Sequence, residues 1–299
     1  MSTDLIVATP AFLDLTFVGL DALPALGEER FAGDLLRSPG GGAITAVAAA
    51  RLGLNTSLVA PLGDDLPGEY VRGELEKEGV RVSGPRTSRT AQTLVMPCGD
   101  DRAMVTVDPG PRARAADVAE FLPTAAVAAN LEQLHLVPDG ARVYLTCGED
   151  DARAFSGRIP SAVGRAAALF LDRPDALQLT GAATLDDALA ALGQTVGTVI
   201  VALGPRGAVA MSGGERIETP SFGTGPAVDT TGDRDLLCAA YAWAELRGAE
   251  PRACIAWAQL YAELAMSVPT ATGGAVTEDR LLEEGVRCGL EPPPQARRR

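Results

Sequence analysis

Short buried-looking apolar runs alternate with helical, glycine-ended runs through the first eighty residues, and this alternation most constrains the fold. "DLIVAT" (4–9) is an apolar run bounded by polar residues, the pattern of a buried strand. "GGGAITAVAAARLGL" (40–54) opens with glycines, continues as an alanine-rich helix and stops near Gly53, a C-terminal cap. "TSLVAPLG" (56–63) is a second strand, and "GEYVRGELEKEGV" (68–80) an amphipathic helix with another glycine stop. Strands that alternate with helices form a parallel sheet covered by helices.

The pattern changes at "TAQTLVMPCGDDRAMVTVD" (90–108), where two strand-like runs flank a Gly-Asp-Asp turn. A hairpin inside an α/β chain implies a small accessory sheet, such as a lid. Helical sequence is expected around 115–134, strands at "ARVYLTCG" (141–148) and "AALFLD" (167–172), and a helix at "TLDDALAALGQ" (184–194). "GTVIVALGPRGAVAM" (197–211) reads as two strands joined by Gly-Pro-Arg-Gly. Two helices close the chain, at 233–247 and 250–268, the first with Leu236, Leu237, Ala240, Tyr241 and Ala244 on one buried face. Residues 1–290 thus read as one α/β domain with lid segments at about 14–37 and 90–107, and "EPPPQARRR" (291–299) as a disordered tail.

Composition excludes several functions. With 46% hydrophobic and 22% charged residues the chain is a soluble globular protein. A net charge of −13 argues against nucleic-acid or membrane-surface binding, which needs a basic footprint. The five cysteines are scattered without a Cys-x-x-Cys pair, so reduced thiols in the cytoplasm are expected. The N-terminus lacks the basic region of a signal peptide, and no apolar stretch is long enough to span a bilayer. Lys77 is the only lysine, which removes the P-loop; Gly-x-Gly-x-x-Gly and Gly-x-Ser-x-Gly are also missing. A lone histidine, His135, offers neither a metal cluster nor a hydrolase triad.

"DTTGDRDLLCAAYAWAEL" (229–246) remains as the candidate for chemistry. A helix start is an anion site, because its first N–H groups are unpaired and its dipole is positive there. Acids beside it would repel an anion. In order and spacing, this stretch, the "SPGGGAITAVAAARLGL…" region, Asp14 after the first strand, "GDDR", "LTG" (179–181) and "VALGPRGA" (201–208) resemble the ribokinase/PfkB family of sugar and nucleoside kinases, over most of residues 4–287.

The resemblance implies a ribokinase-like fold: a mostly parallel sheet with helices on both faces and a small β lid. It implies ATP as phosphoryl donor with Mg²⁺, a small-molecule substrate and a possible homodimer through the lid. The family signature Asp-Thr-Thr-Gly-Ala-Gly-Asp places the catalytic base at Asp235 and the anion hole at Gly232, Asp233 and Arg234. Substrate contacts would fall to Asp14, Gly40, Gly41, Gly42 and Thr45, and nucleotide contacts to Asp172, Asp175, Ala202, Gly204 and Gly207, with the glycines of "ATGGA" (271–275) as further candidates. Asp172 and Asp175 stand where the family has Asn-x-x-Glu and would orient Mg²⁺-bound waters.

The departures are specific. The family's hydroxyl-reading asparagine falls on Ile44 or Thr45, depending on alignment. Some 24 residues separate "TCG" from Asp172, which implies a shortened sheet. Asp233 and Arg234 replace an alanine and a glycine. A carboxylate about 5 Å from a phosphate costs roughly 3 kcal/mol at an effective dielectric near 20, and an arginine returns about as much. Arg234 then either clasps the phosphate as a fork or plugs its site. Two functions follow: an active sugar, polyol or nucleoside kinase, or a ribokinase-fold protein that has lost transfer and binds ligands or regulates.

Overall fold

Leu5, Ile6, Val7 and Ala8 are all fully buried in β1 (Thr3–Ala8) of the computed structural model, which describes residues 2–98, 101–108 and 110–294. Successive strand side chains point to opposite faces, so such a strand needs cover on both. Leu5 and Val7 enter one apolar core and Ile6 and Ala8 another. The chain continues through β2 (Ala11–Val18), β3 (Asp34–Gly41), α1 (Gly42–Arg51), β4 (Thr56–Val59), β5 (Leu62–Gly63) and α2 (Leu66–Lys77). Next come β6 (Arg81–Ser83), β7 (Arg86–Thr87), β8 (Gln92–Cys98), β9 (Asp101–Val107), α3 (Ala115–Ala119), β10 (Thr124–Asn130), β11 (Val143–Thr146) and α4 (Glu149–Ala154). β12 (Ala166–Asp172), α5 (Arg173–Thr180), α6 (Leu185–Gly193), β13 (Thr198–Ala202), β14 (Ala208–Ser212) and β15 (Glu215–Thr219) follow. The last part is helical: α7 (Asp233–Leu246), α8 (Pro251–Met266), α9 (Ala271–Gly274) and α10 (Glu278–Arg287).

Among the described residues nine strands form the large sheet, in the order β15-β14-β13-β12-β11-β10-β1-β4-β6. Every pair from β13 to β6 is parallel, and β14 and β15 return antiparallel. Residues of α1, α2, α7, α8 and α10 join the core on one face, and those of α3, α4, α5 and α6 the core on the other. A second sheet, β3-β2-β8-β9, pairs β2 in parallel with β8 and is otherwise antiparallel. None of the described helices is long and apolar enough to cross a membrane.

Three local expectations change. Residues 124–130 form strand β10 instead of helix, since "TAAVAAN" is flanked by β1 and β11 and buried from Ala126 to Ala129. Alanine's helix preference is weaker than a place in the middle of a sheet. The strand expected over 56–63 breaks at Ala60-Pro61, and Leu62–Gly63 pairs with β7 in a separate two-stranded sheet. Gly40 and Gly41 end β3, and the helix starts one residue later, at Gly42. β11 pairs directly with β12, with only α4 and a short 3-10 turn between them. Gly99 and Asp100 of the expected turn, and residues 295–299 of the expected tail, lie outside the described residues.

The position of α7 is fixed by aromatic contacts. Tyr241 meets Tyr144 of β11 and Phe170 of β12 edge-on, with ring centroids 6.1 and 5.5 Å apart. Trp243 meets Trp257 of α8 at 5.7 Å, and Trp257 in turn packs where Gly285 of α10 has no side chain. Gly285→Ala puts a methyl into the Trp257 ring. It is expected to cost about 1–3 kcal/mol through overpacking, read by calorimetry as a fall of several degrees in Tm.

Candidate active site

Five neighbouring strands, β13, β12, β11, β10 and β1, bring Ala202, Asp172, Thr146, Asn130 and Thr9 to one cleft of about 880 Å³ at their carboxyl ends. Loops after parallel strands are where such sheets bind ligands. The small sheet contributes Asp14, Thr93 and Arg102, and the start of α7 contributes Gly232 to Asp235.

The α7 entrance is set by backbone geometry. Gly232 is the N-cap, with φ of 76°, and a Cβ there would lie 2.7 Å from Ile44 Cδ1. Asp229 is buried and ties the loop down: one oxygen accepts the Thr231 N–H at 2.9 Å, the other the Thr270 N–H at 3.0 Å. The first helical N–H groups have no intrahelical acceptor. Among the described residues no hydrogen bond uses the N–H of Asp233, Arg234 or Asp235.

The Arg234 side chain on the cleft wall is held by two acids of the β12–α5 junction. Its Nη1 donates to Asp172 Oδ2 at 3.3 Å and, more closely, to Asp175 Oδ2. Asp172 caps α5 with its other oxygen, which accepts the Asp175 N–H at 2.9 Å. The "DRPDALQLTG" segment is therefore a helix with an Asp cap, an early proline and a glycine stop, signals that are legible in the sequence. Asp175 is 5% exposed. Burial pushes its carboxyl up, and the guanidinium opposes that push.

Three carboxylates face the cleft nearby. Asp235 Oδ1 accepts a hydrogen bond from the Thr45 hydroxyl at 3.0 Å. Burial pushes Asp235 up to about 6, against Arg234 and that hydrogen bond. Burial pushes Asp14 up to about 7, aided by negative Asp229 and Asp235 and opposed by a hydrogen bond with Thr93. Asp233 is raised by burial to about 6 against the pull of Arg234 and Arg102.

Not every expected residue reaches the cleft. Gly41, Gly42, Asp14, Ala202, Gly204, Asp172 and residues 232–235 line it. Gly40 sits behind Asp14, where any side chain would overlap the carboxyl. Thr45 stands behind Asp235, and Ile44 forms the wall. Gly207 closes the β13–β14 turn against the Thr219 carbonyl, with φ of 91°. Asp175 is sealed behind Arg234, while Gly273 takes part in the α9 cap and Gly274 packs on Ala265. His135 is exposed, its Nδ1 2.8 Å from the Glu132 carbonyl.

One residue was not anticipated. Arg102 of β9 reaches from the small sheet to the α7 loop, donating to Thr230 Oγ1 at 2.8 Å. Its signal in the sequence is a cation that follows Asp101 in a strand otherwise of apolar or small residues.

The acids at 172 and 175 do not fit the role of ordering a hydrated metal ion, because both are already bound by Arg234. Among the described residues no group of three or more histidines, cysteines or acids is arranged to hold a metal.

A mostly parallel sheet whose helix-start N–H groups and acids meet in one cleft defines a class of α/β protein suited to holding an anionic ligand there. The model of the pfkB family of carbohydrate kinases matches residues 32–278, and the chain belongs to that family. It is 28% identical to a ribokinase of Bacillus subtilis over 285 residues, covering 88% of this chain and 93% of that one. An Arabidopsis thaliana ribokinase complexed with ribose and ATP superposes with a TM-score of 0.76, at 24% identity, over 95% of this chain and 98% of that one. A Thermotoga maritima ribokinase gives 0.78 at 19% identity over 96% and 100%, and a nucleoside kinase of Methanocaldococcus jannaschii 0.75 at 19% over 96% and 100%. The structural likeness establishes a ribokinase-like fold.

The raised Asp14 pKa has a stability consequence. The folded state holds its proton up to about pH 7, against 3.8 for a free carboxyl, so stability present below about pH 4 is lost as pH rises through 7. Asp14→Asn is therefore expected to match the parent near pH 4 and exceed it by ~2–4 kcal/mol at pH 8 in urea titrations.

Proposed function

We propose that this cleft transfers the γ-phosphoryl group of ATP to a hydroxyl of a small sugar, polyol or nucleoside. The observation that carries the reading is the pairing of Asp235 with the open N–H groups at the start of α7. The substrate hydroxyl would sit between Asp14 and Asp235. As its oxygen bonds to the γ-phosphorus, Asp235 takes the hydroxyl proton, and the bond to the β-phosphate oxygen breaks with its electron pair leaving on ADP. The N–H groups of residues 233–235 would hold the charge on the transferring group. Ala202 and Gly204, at the other side of Asp172, are suited to lie along the nucleotide.

Support comes from the family match and from the Bacillus subtilis and Arabidopsis relatives, the latter solved with ribose and ATP. The hold of Asp172 and Asp175 on the Arg234 guanidinium supports transfer over a protein that has lost it, since it ties that side chain to the cleft wall. Ile44 cannot hydrogen-bond, so hydroxyl reading would rest on Asp14 and neighbouring backbone. The small sheet acts in this proposal as a lid latched by Arg102 on Thr230, excluding water from the transfer. Its exposed Met104, Val105 and Val107 suit pairing of two lids in a homodimer, in the cytoplasm.

With a panel of sugars, polyols and nucleosides, Asp235→Asn should lower kcat by about 10²–10⁴-fold while ADP binding by calorimetry stays unchanged. An unchanged rate would remove Asp235 from the reaction. For the parent, kcat/KM should rise with pH through about 6, as Asp235 loses its proton, and level off above Asp14's value of about 7. A profile flat from pH 5 to pH 8 would contradict a carboxylate base with this environment, a range of about one unit around the two values.

A further inference from the structure

Two of the departures implied by the sequence resemblance lie 59 and 62 residues apart, and the fold joins them in one ion-pair group. By that resemblance Arg234 stands where a small residue is expected on α7, and Asp172 and Asp175 where an amide and an acid are expected at the start of α5. The guanidinium spans the gap between the two helix starts, on the cleft wall beside Gly148. Asp175 is buried beneath it, and Asp172 is additionally fixed as the α5 cap. Two carboxylates at a helix start would be suited to a small hydrated cation if nothing else neutralised them. Here an arginine does so, and arginine keeps its charge at every physiological pH.

We infer that Arg234 is a resident cation, taking at this end of the cleft the charge-neutralising place of a hydrated divalent ion, so that the protein alone has no affinity for such an ion there. The two substituted positions act as one unit: the acids hold the arginine off the anion hole, and the arginine closes the acids to metal. A divalent ion then enters the cleft only on the phosphates of a nucleotide. That last consequence rests on the kinase reading, whereas the exclusion of metal from the free protein does not.

The probe is Mn²⁺ added to the nucleotide-free, full-length protein, followed by calorimetry and by loss of the free-ion electron paramagnetic resonance signal. The parent and Arg234→Lys should show no saturable binding below ~1 mM. Arg234→Gly should bind one Mn²⁺ at least about tenfold more tightly, and its Tm should rise with Mn²⁺ but not with NaCl of equal ionic strength. Arg234→Gly combined with Asp175→Asn should lose that gain. Should Arg234→Gly fail to fold, Arg234→Gln serves in its place. Saturable Mn²⁺ binding by the parent that Asp175→Asn abolishes would overturn the inference, as would a folded Arg234→Gly or Arg234→Gln with no gain. Neither result touches the kinase reading, which stands or falls on turnover.

Discussion

A sheet buried on both faces, with seven neighbouring strands running the same way, determines where everything else lies. Each parallel connection must cross over a face of the sheet, between β10 and β11 with only a short 3-10 turn at Leu134–Leu136, so the carboxyl ends of the strands gather at one edge. Thr9, Asn130, Thr146, Asp172 and Ala202 are the residues that emerge there. The cleft needs no special construction beyond this topology. α7 starts at the same edge because Tyr241 packs edge-on against rings of β11 and β12, which sets the helix over the centre of the sheet.

Charge at that edge is dense, with acids in excess. Asp14, Asp233 and Asp235 are each raised by burial, while Arg102 and Arg234 supply positive charge from two different elements. Breaking a buried pair leaves an uncompensated charge, usually a larger loss than the pair's net contribution. Arg234, Asp172 and Asp175 are therefore coupled: any one can change only at the expense of the others. An arginine introduced into the glycine-rich loop alone would have been a plug. Accompanied by two acids, it is drawn aside.

Much of the architecture was legible because burial on both faces leaves a mark in sequence. Runs such as 4–9 and 167–172 have no polar face, and Gly53, Gly181 and Gly232 punctuate helices where a positive φ is needed. β10 reads as helix in the sequence because its four alanines carry a helical preference that only the neighbouring strands override. In the cleft, contributions contiguous in sequence, residues 229–235, could be placed from the resemblance. Those created by folding could not: Thr45 behind Asp235 is 190 residues away, and Arg102 and Thr230 are separated by 128. The orientation of Arg234 belonged to the second kind, because "DRPD" signals a helix start and gives no hint that its acids point at an arginine.

Phosphoryl transfer in this cleft requires the helix start to be open to a phosphate while Asp172 and Asp175 hold Arg234. A crystal structure with a non-hydrolysable ATP analogue tests this directly. The account predicts a γ-phosphate oxygen about 3 Å from the N–H groups of residues 233–235, with the Arg234 guanidinium still on Asp172 and Asp175. A guanidinium moved onto the phosphate, or an analogue kept out of the hole by that side chain, would contradict it.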